Sequence, residues 1–436
     1  MALNKEEILK TLKMEMAPAL GVTEPSTIAL ATAKAYKEIK GNVGKIELTL
    51  DPGIYKNAYS CGIPNTNEKG IEIAALLGAL NGDSNLGLQV LKNINQNDVK
   101  KAKKLKENNL VEIDIKDGYK DIYVKSKVIT DNGYALAVIK SRHDNINYIE
   151  VNNKIIYEKA DFNNQESNKD SIFNNFRLDE VINFINSLNL EEIKFALDAV
   201  KMNKNLSASG EQGTGLELGK GLNELNNQNE INDDIINKAK ILTAFAVDAR
   251  MGGVPKPAMS FCGSGDHGII ATLPIAALAE KKKVSKENLA RSIILSYLIT
   301  YYIKHKTGKL SAYCGCAIAA GMGAAAGSTY LLDGDLQQIN GAVNNIAGNI
   351  TGMICDGGNF GCSLKAVTAA GLAVESALLA INDYYLKNNN GVVGNSLKDT
   401  LDNVSKIATP GMEQTNEVII NILKKRSQNE KWDDLR

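Results

Sequence analysis

A train of helices that are apolar on nearly every side limits what this chain can fold into more than any other feature. Over residues 235–249, 269–279, 289–303, 317–332, 336–354 and 364–381, apolar residues keep a helical period. Several of these runs carry Ala and Gly where a surface helix would carry charge. A helix without a polar face has to be surrounded, by other helices or by lipid. The run most suggestive of lipid, 317–332, contains Ser328 and Thr329 and is shorter than the ~20 apolar residues a bilayer requires. The second half therefore reads as an all-α bundle with shielded central helices, and no membrane contact is expected.

The first half follows a different pattern. Ile8, Leu12 and Met16 recur every four positions, and a second helical run passes from Pro25 through Ile28, Ala31 and Ala35 to Tyr36. Residues 45–50 then alternate with period two, as a half-buried strand does. Further strands are expected at 111–115, 122–128, 135–139 and 146–151, with a helix over 70–91. Because strands and helices do not alternate one for one, the sheet should be antiparallel, within an α+β domain. The expected organisation is N-terminal helices over 1–44, packed on the helical domain, and an α+β domain over 45–160. A polar linker at 161–170 and an all-α domain over 171–436 follow. A length of 436 residues suits such a division.

Charge and cysteine usage narrow the function class. Fifty basic residues are offset by 50 acidic ones, so the chain lacks the basic excess that nucleic acid binding needs. Lys5, Glu6 and Glu7 stand where a secretory signal would be apolar, and 6 cysteines are too sparse for a disulfide scaffold. A cytoplasmic protein with reduced thiols is expected.

Five of those cysteines lie between residues 262 and 362. The sharpest local feature is Cys355-Asp356-Gly357-Gly358-Asn359-Phe360-Gly361-Cys362, read as two thiols facing each other across a Gly-rich loop between apolar helices. At a helix start a thiol is easier to deprotonate, and thiolate is the form that binds metal. A third thiol comes from Cys314 or Cys316; read as helical neighbours two apart, they do not share a face and are not expected to serve one site. Zinc and an iron–sulfur cluster with one non-cysteine corner both suit three soft ligands. The spacing leaves both open, and leaves open a pair of ordinary core cysteines beside a turn.

Other patches mix polar groups in turns. Gly21-Val22-Thr23-Glu24-Pro25-Ser26 ends one helix and starts another, presenting free N–H groups that favour an anion. Ser260 and the turn Gly263-Ser264-Gly265, after Asp248-Ala249-Arg250, suggest an anion cradle, although the Gly-Lys-Ser/Thr ending of a P-loop is missing. Lys56, Asn57, Ser60, Cys61 and Thr66 combine a cation, an amide and hydroxyls, and Arg142-His143-Asp144 places a histidine beside a strand start.

Taken in order, these segments resemble the L-cysteine desulfidase family, relatives of the iron–sulfur L-serine dehydratases. The resemblance spans nearly the whole chain. It rests on Gly21-Val22-Thr23-Glu24-Pro25, on Lys56-Asn57 with Pro64 and Thr66, and on His143-Asp144-Asn145-Ile146. It continues through Asp248-Ala249-Arg250-Met251-Gly252-Gly253, Pro257-Ala258-Met259-Ser260 and Gly263-Ser264-Gly265. Leu310-Ser311-Ala312-Tyr313-Cys314 and Met353-Ile354-Cys355-Asp356-Gly357 with Cys362 and Lys365 complete it. The resemblance implies a 4Fe–4S cluster held by Cys314, Cys355 and Cys362, with one iron open to substrate. It implies non-redox β-elimination, L-cysteine giving hydrogen sulfide, ammonia and pyruvate. Glu24, Ser26, Lys56, Asn57, Thr66, Ser260, Gly263, Ser264 and Gly265 would then bind a small amino acid. Assembly into a homo-oligomer is left open.

One departure bears on mechanism. Where the family has a cysteine proposed as acid/base, this chain has Val22, which exchanges no proton. Cys61, His143, Cys262, His267 and Lys365 are the titratable alternatives, and His143 is taken as the base. Two further readings compete: an iron–sulfur L-serine dehydratase, and a cluster-bearing carrier or sensor without catalysis. A purely structural protein stands behind them.

Overall fold

The computed structural model describes residues 4–116, 118–119, 121–159, 176–308 and 310–429. The expected linker at 161–170 lies outside them. Two apolar cores organise the described residues, one beneath a sheet and one within a bundle.

The chain opens with α1 (Lys5–Met14), β1 (Met16–Leu20) and α2 (Thr23–Ile39). These elements part company. Ile8, Leu9 and Leu12 of α1 join the bundle core, whereas Ile28, Leu30 and Ala31 of α2 join the sheet core. Met16, which continues the four-residue period of α1, begins a strand instead, because β1 is claimed by a partner far along the chain.

The sheet comprises β2 (Val43–Leu50), β3 (Val111–Ile115), β4 (Tyr123–Thr130), β5 (Gly133–Lys140), β6 (Ile146–Val151) and β7 (Lys154–Glu158), in the order β3-β2-β4-β5-β6-β7. Its pairs are antiparallel, as expected, except β2 with β3. That pair is parallel because a long crossover carrying α3 (Pro52–Ala58), α4 (Ile71–Asn81) and α5 (Gln96–Glu107) separates the two strands. The helix expected to reach residue 91 stops at Asn81: Gly82 turns extended (φ −70°, ψ 130°), and a 3₁₀ segment, Ser84–Gln89, follows. Ile46, Leu48 and Leu50 point into the core beside Leu76, Leu77, Val124 and Val128, which is the alternation seen in the sequence.

The bundle is built from α6 (Leu178–Asn186), α7 (Leu190–Gly210), α8 (Leu218–Asn227), α9 (Ile235–Met251), β8 (Pro257–Phe261), α10 (Gly265–Lys282), α11 (Lys286–Thr307), α12 (Ala319–Leu331), α13 (Leu336–Ile350), α14 (Cys362–Ile381) and α15 (Leu397–Lys406). Small residues let central helices touch backbone to backbone: a Cβ on Gly323 of α12 would lie 2.4 Å from the Ser296 carbonyl oxygen of α11. Among the described residues only α14 is long and apolar enough to cross a membrane, and half of it is buried. It packs on α9, α10, α12 and α13.

Two elements depart from the expected halves. β8 is a strand inside the helical half, paired antiparallel with β1, Met16 opposite Phe261 and Leu20 opposite Pro257. The last helix, α16 (Glu413–Asn429), returns to the sheet, where Ile419 and Leu423 enter its core. The chain therefore laces the two cores together at both ends.

Candidate functional site

Where the cores meet, the start of α2 brings buried polar groups together. Gly21 turns with φ +68° and lets Thr23 and Glu24 begin the helix against α3. Glu24 is buried, and its Oε1 accepts a 2.9 Å hydrogen bond from Asn57 Nδ2 on α3. His143 Nε2 stands 3.7 Å from the same oxygen, too far for a hydrogen bond but close enough for strong electrostatic coupling. Burial would raise the Glu24 carboxyl, but His143, the Asn57 amide and the Arg250 charge outweigh it and hold it below its usual value.

The turn Gly263-Ser264-Gly265 is the hub of the site. The His143 ring lies on Gly263, where a Cβ would be 3.0 Å from Cε1. Ser264 Oγ is 3.6 Å from Cys316 Sγ. Arg250 runs along Gly265, where a Cβ would meet its Nε at 2.3 Å. Ser264 begins α10 without using its side chain as a cap, so the first N–H groups of that helix are left without that partner.

Arg250, quoted in the sequence motif but not assigned a site role, is central. It is buried, pairs through Nη1 with Asp266 Oδ1 at 2.8 Å and reaches Thr23 Oγ1 at 3.5 Å. Burial opposes its charge, but Asp266, Glu24, Cys316 and Cys362 outweigh that and keep it firmly protonated. Its signal in the sequence was an arginine close to Asp248 at the apolar end of a helix, where burial requires a paired role. Three buried atoms here have no hydrogen-bond partner: Arg250 Nε, His143 Nε2 and Asn57 Oδ1. Buried polar atoms are normally satisfied, so this group marks a place for a ligand.

The thiols gather on the bundle side. Tyr313 and Ile354 form an antiparallel bridge; Cys314 N donates to Met353 O at 3.0 Å and Cys355 N to Ala312 O at 2.6 Å. This pairing replaces the end of the helix expected to reach Cys355, since α13 stops at Ile350. Cys362 opens α14 as expected, its Sγ 3.5 Å from Gly357 O. Its position at a helix start does not make it acidic: burial, with the negative fields of Asp266 and Cys355, pushes the thiol well up. Cys316, expected not to share a face with Cys314, sits in a turn before α12, its Sγ 3.6 Å from Ser264 Oγ. Lys304 is buried beside this turn, its Nζ 3.2 Å from where a Cβ on Gly315 would lie, and burial pushes its ammonium below the usual value despite the nearby thiols.

The thiol loop and the polar pocket are one site. Gly358 N donates to Asn57 O at 3.2 Å, and a Cβ on Gly357 would lie 2.4 Å from Lys56 O. Val22 and Cys61 face Gly358 from the other side, where a Cβ would be 3.1 Å from Val22 Cγ1 and 3.3 Å from Cys61 Cβ.

Four residues expected to bind substrate have their protons engaged elsewhere. Lys56 Nζ donates to Ser311 O at 2.8 Å, Cys355 O at 3.0 Å and Asn416 Oδ1 at 2.9 Å, leaving no N–H for a ligand. Ser26 Oγ donates to Leu20 O, Thr66 Oγ1 to Ile63 O and Ser260 Oγ to Ala17 O. They hold turns and the β1–β8 pair. Glu24, Asn57, His143 and the 263–265 turn do converge.

The donor set fits a cluster. Among the described residues no three His, Cys, Asp or Glu side chains converge tightly enough for a single metal ion. A polynuclear centre takes its thiolates on separate irons and so spaces them more widely. Soft donors, glycine backbone and the buried Arg250 charge are what an anionic thiolate-held cluster requires.

A family model described as serine dehydratase alpha chain matches residues 85–421. The chain is 48% identical over 422 residues to a UPF0597 protein of Clostridium botulinum, covering 95% of this chain and 98% of that one. It is 39% identical over 423 residues to a UPF0597 protein of Clostridium tetani, covering 97% and 99%. To one of Clostridioides difficile it is 37% identical over 420 residues, covering 95% and 98%.

Proposed function

Because the chain belongs to the serine dehydratase alpha-chain family, we propose that it is an iron–sulfur-dependent L-cysteine desulfidase, a carbon–sulfur lyase yielding hydrogen sulfide, ammonia and pyruvate. In this reading Cys314, Cys355 and Cys362 hold a 4Fe–4S cluster and His143 is the base. The observation that carries it is the contact of Gly357 and Gly358 with Lys56 and Asn57, which sets the thiols against the unsatisfied polar pocket. When bound, the cluster supplies a Lewis-acidic iron without a protein ligand, which makes sulfide a better leaving group.

The chain's own residues do the rest. Glu24, kept ionised, attracts the substrate ammonium. Arg250 Nε and the first N–H groups of α10 take the carboxylate. His143 Nε2 removes the α-proton, and Glu24 at 3.7 Å stabilises the imidazolium formed. The C–H electrons become the Cα–Cβ double bond as the C–S bond breaks and sulfur leaves as sulfide. The freed 2-aminoacrylate rearranges to an imine, which water hydrolyses to pyruvate and ammonia. Val22 and Cys61 give the leaving-group side an apolar, polarisable wall, which suits sulfur better than a hydroxyl.

Serine dehydration is the second reading, favoured by the description of the matching family. The test is pyruvate release by anaerobically reconstituted protein offered L-cysteine and L-serine in parallel. Cysteine-dependent pyruvate is expected. Preference for serine would move the protein to the dehydratases, and a loaded cluster with no turnover would leave a carrier or sensor.

A further inference from the structure

Far from the thiols, the sheet ends in a strand that the described residues leave bare. β7 closes the order β3-β2-β4-β5-β6-β7 and pairs, among the described residues, with β6 alone. All of its residues are exposed, and Ile155, Ile156 and Tyr157 keep 51%, 46% and 44% of their surface open. Successive strand residues point to opposite faces, so three exposed apolar side chains in a row leave neither face of β7 covered by the described residues. The pairing with β6 slips here: Glu150 stands opposite Ile155 and Ile149 opposite Tyr157, which gives Ile156 no opposite number on β6. The sheet's other edge is built differently. β3 sets exposed Glu112 and Asp114 between residues that pack on the core, and acidic residues along an edge discourage pairing with another copy. In Lys154-Ile155-Ile156-Tyr157-Glu158 the charges instead stand at the two ends, opposite in sign, with only apolar and aromatic residues between them. Laid antiparallel against itself about a two-fold axis at Ile156, this segment sets Lys154 opposite Glu158, Ile155 opposite Tyr157 and Ile156 opposite Ile156. A parallel pairing would set lysine on lysine and glutamate on glutamate.

We propose that β7 is an association edge for a second copy of this chain: two copies pair β7 with β7, antiparallel, and their sheets become one continuous sheet. The occupant follows from the charge pattern. A foreign strand would have to bring a matching order of cation, apolar residues and anion, whereas this chain already carries its own complement. Such an interface is isologous, and each copy spends its β7 edge in forming it, so assembly closes at two and does not grow into a fibre. The pairing gives the backbone groups along the open edge partners and takes Ile155, Ile156 and Tyr157 out of water. It is independent of the cluster and of the reaction assigned above.

The experiment is analytical ultracentrifugation of the full chain over a concentration series, with wild type beside Ile156→Lys, Lys154→Glu and Glu158→Lys. All three positions are exposed, so the variants should keep the wild-type circular dichroism. Wild type should sediment as a dimer. Ile156→Lys sets two lysines on the axis, and each charge reversal sets like charges opposite each other at both ends, so each variant alone should associate at least about tenfold more weakly. An equal mixture of Lys154→Glu and Glu158→Lys restores opposite charges at both ends, and it should dimerise as wild type does. A monomeric wild type would overturn the proposal, and protection of its β7 amides from hydrogen exchange would then show that another part of the same chain covers the edge. A dimer that survives Ile156→Lys would place the interface elsewhere. Charge-reversed chains that stay monomeric when mixed would reject the antiparallel register.

Discussion

Asp51 caps α3 and ties it to the sheet: Oδ1 accepts from Gly53 N and Ile54 N, and Oδ2 from Tyr123 N. Burial nonetheless pushes its carboxyl up to about 6 from 3.8. An acid with a raised folded pKa holds its proton more tightly when folded, so stability is lost as pH rises through that interval. The effect is on the order of 3 kcal/mol at most. Urea unfolding at pH 5 and pH 7 should show wild type losing more stability with pH than Asp51→Asn, and equal losses would reject this origin. His143 allows a second comparison. His143→Gln should lower turnover by ~10²–10⁴ with iron content unchanged, while Val22→Cys should stay within a few-fold of wild type. A rate restored to His143→Gln by adding Val22→Cys would move the base to position 22. At this scale the sequence singled out Glu24, Asn57, His143 and the 263–265 turn as separate motifs, and the 3.7 Å approach of His143 to Glu24 was not legible in it. It misled at Ser26, Lys56, Thr66 and Ser260, because a motif shows which protons a residue has and not which carbonyl takes them.

Among elements, legibility followed local pattern. β2 and β4 alternate in the sequence because one face of each is buried, and the structure keeps that phase. β1 and β8 were missed because each is five residues long and its conformation is set by the other, 237 or more residues away by the pairing of Leu20 with Pro257. The turn at Cys316 was missed because spacing was read on a helix that starts only at Ala319. The thiol loop gives the prediction proper to this scale. A Cβ on Gly358 would meet Asn57 O at 2.6 Å, a backbone atom that cannot swing aside. Gly358→Ala should therefore push the loop off α3 while both cores stay intact. Iron uptake and pyruvate release should fall at least tenfold with the melting temperature nearly unchanged; full activity would show that the contact does not assemble the site.

Across the whole molecule, Lys56 is a buried tie between the two cores. It stands on α3 beneath the sheet, and its three acceptors belong to the loop before Cys314, to Cys355 itself and to α16. Each acceptor stripped of its donor costs about 1–3 kcal/mol if it stays buried. Lys56→Met keeps the aliphatic length and removes all three bonds. The β1–β8 pair remains in that variant, so the chain ends stay laced while the centre is released. Hydrogen exchange should rise first over 353–361 and over α16, and urea unfolding should change from one transition to two, with the sheet core leaving first. Uniform loss of protection with a single transition would mean that the apolar contacts between the cores, rather than Lys56, make them unfold together. The loop most affected carries Cys355 and ends at Cys362, so Lys56→Met should also release iron faster than wild type under chelation. Faster release with unchanged exchange at 353–361 would separate the two effects and place the role of Lys56 in electrostatics instead of anchoring.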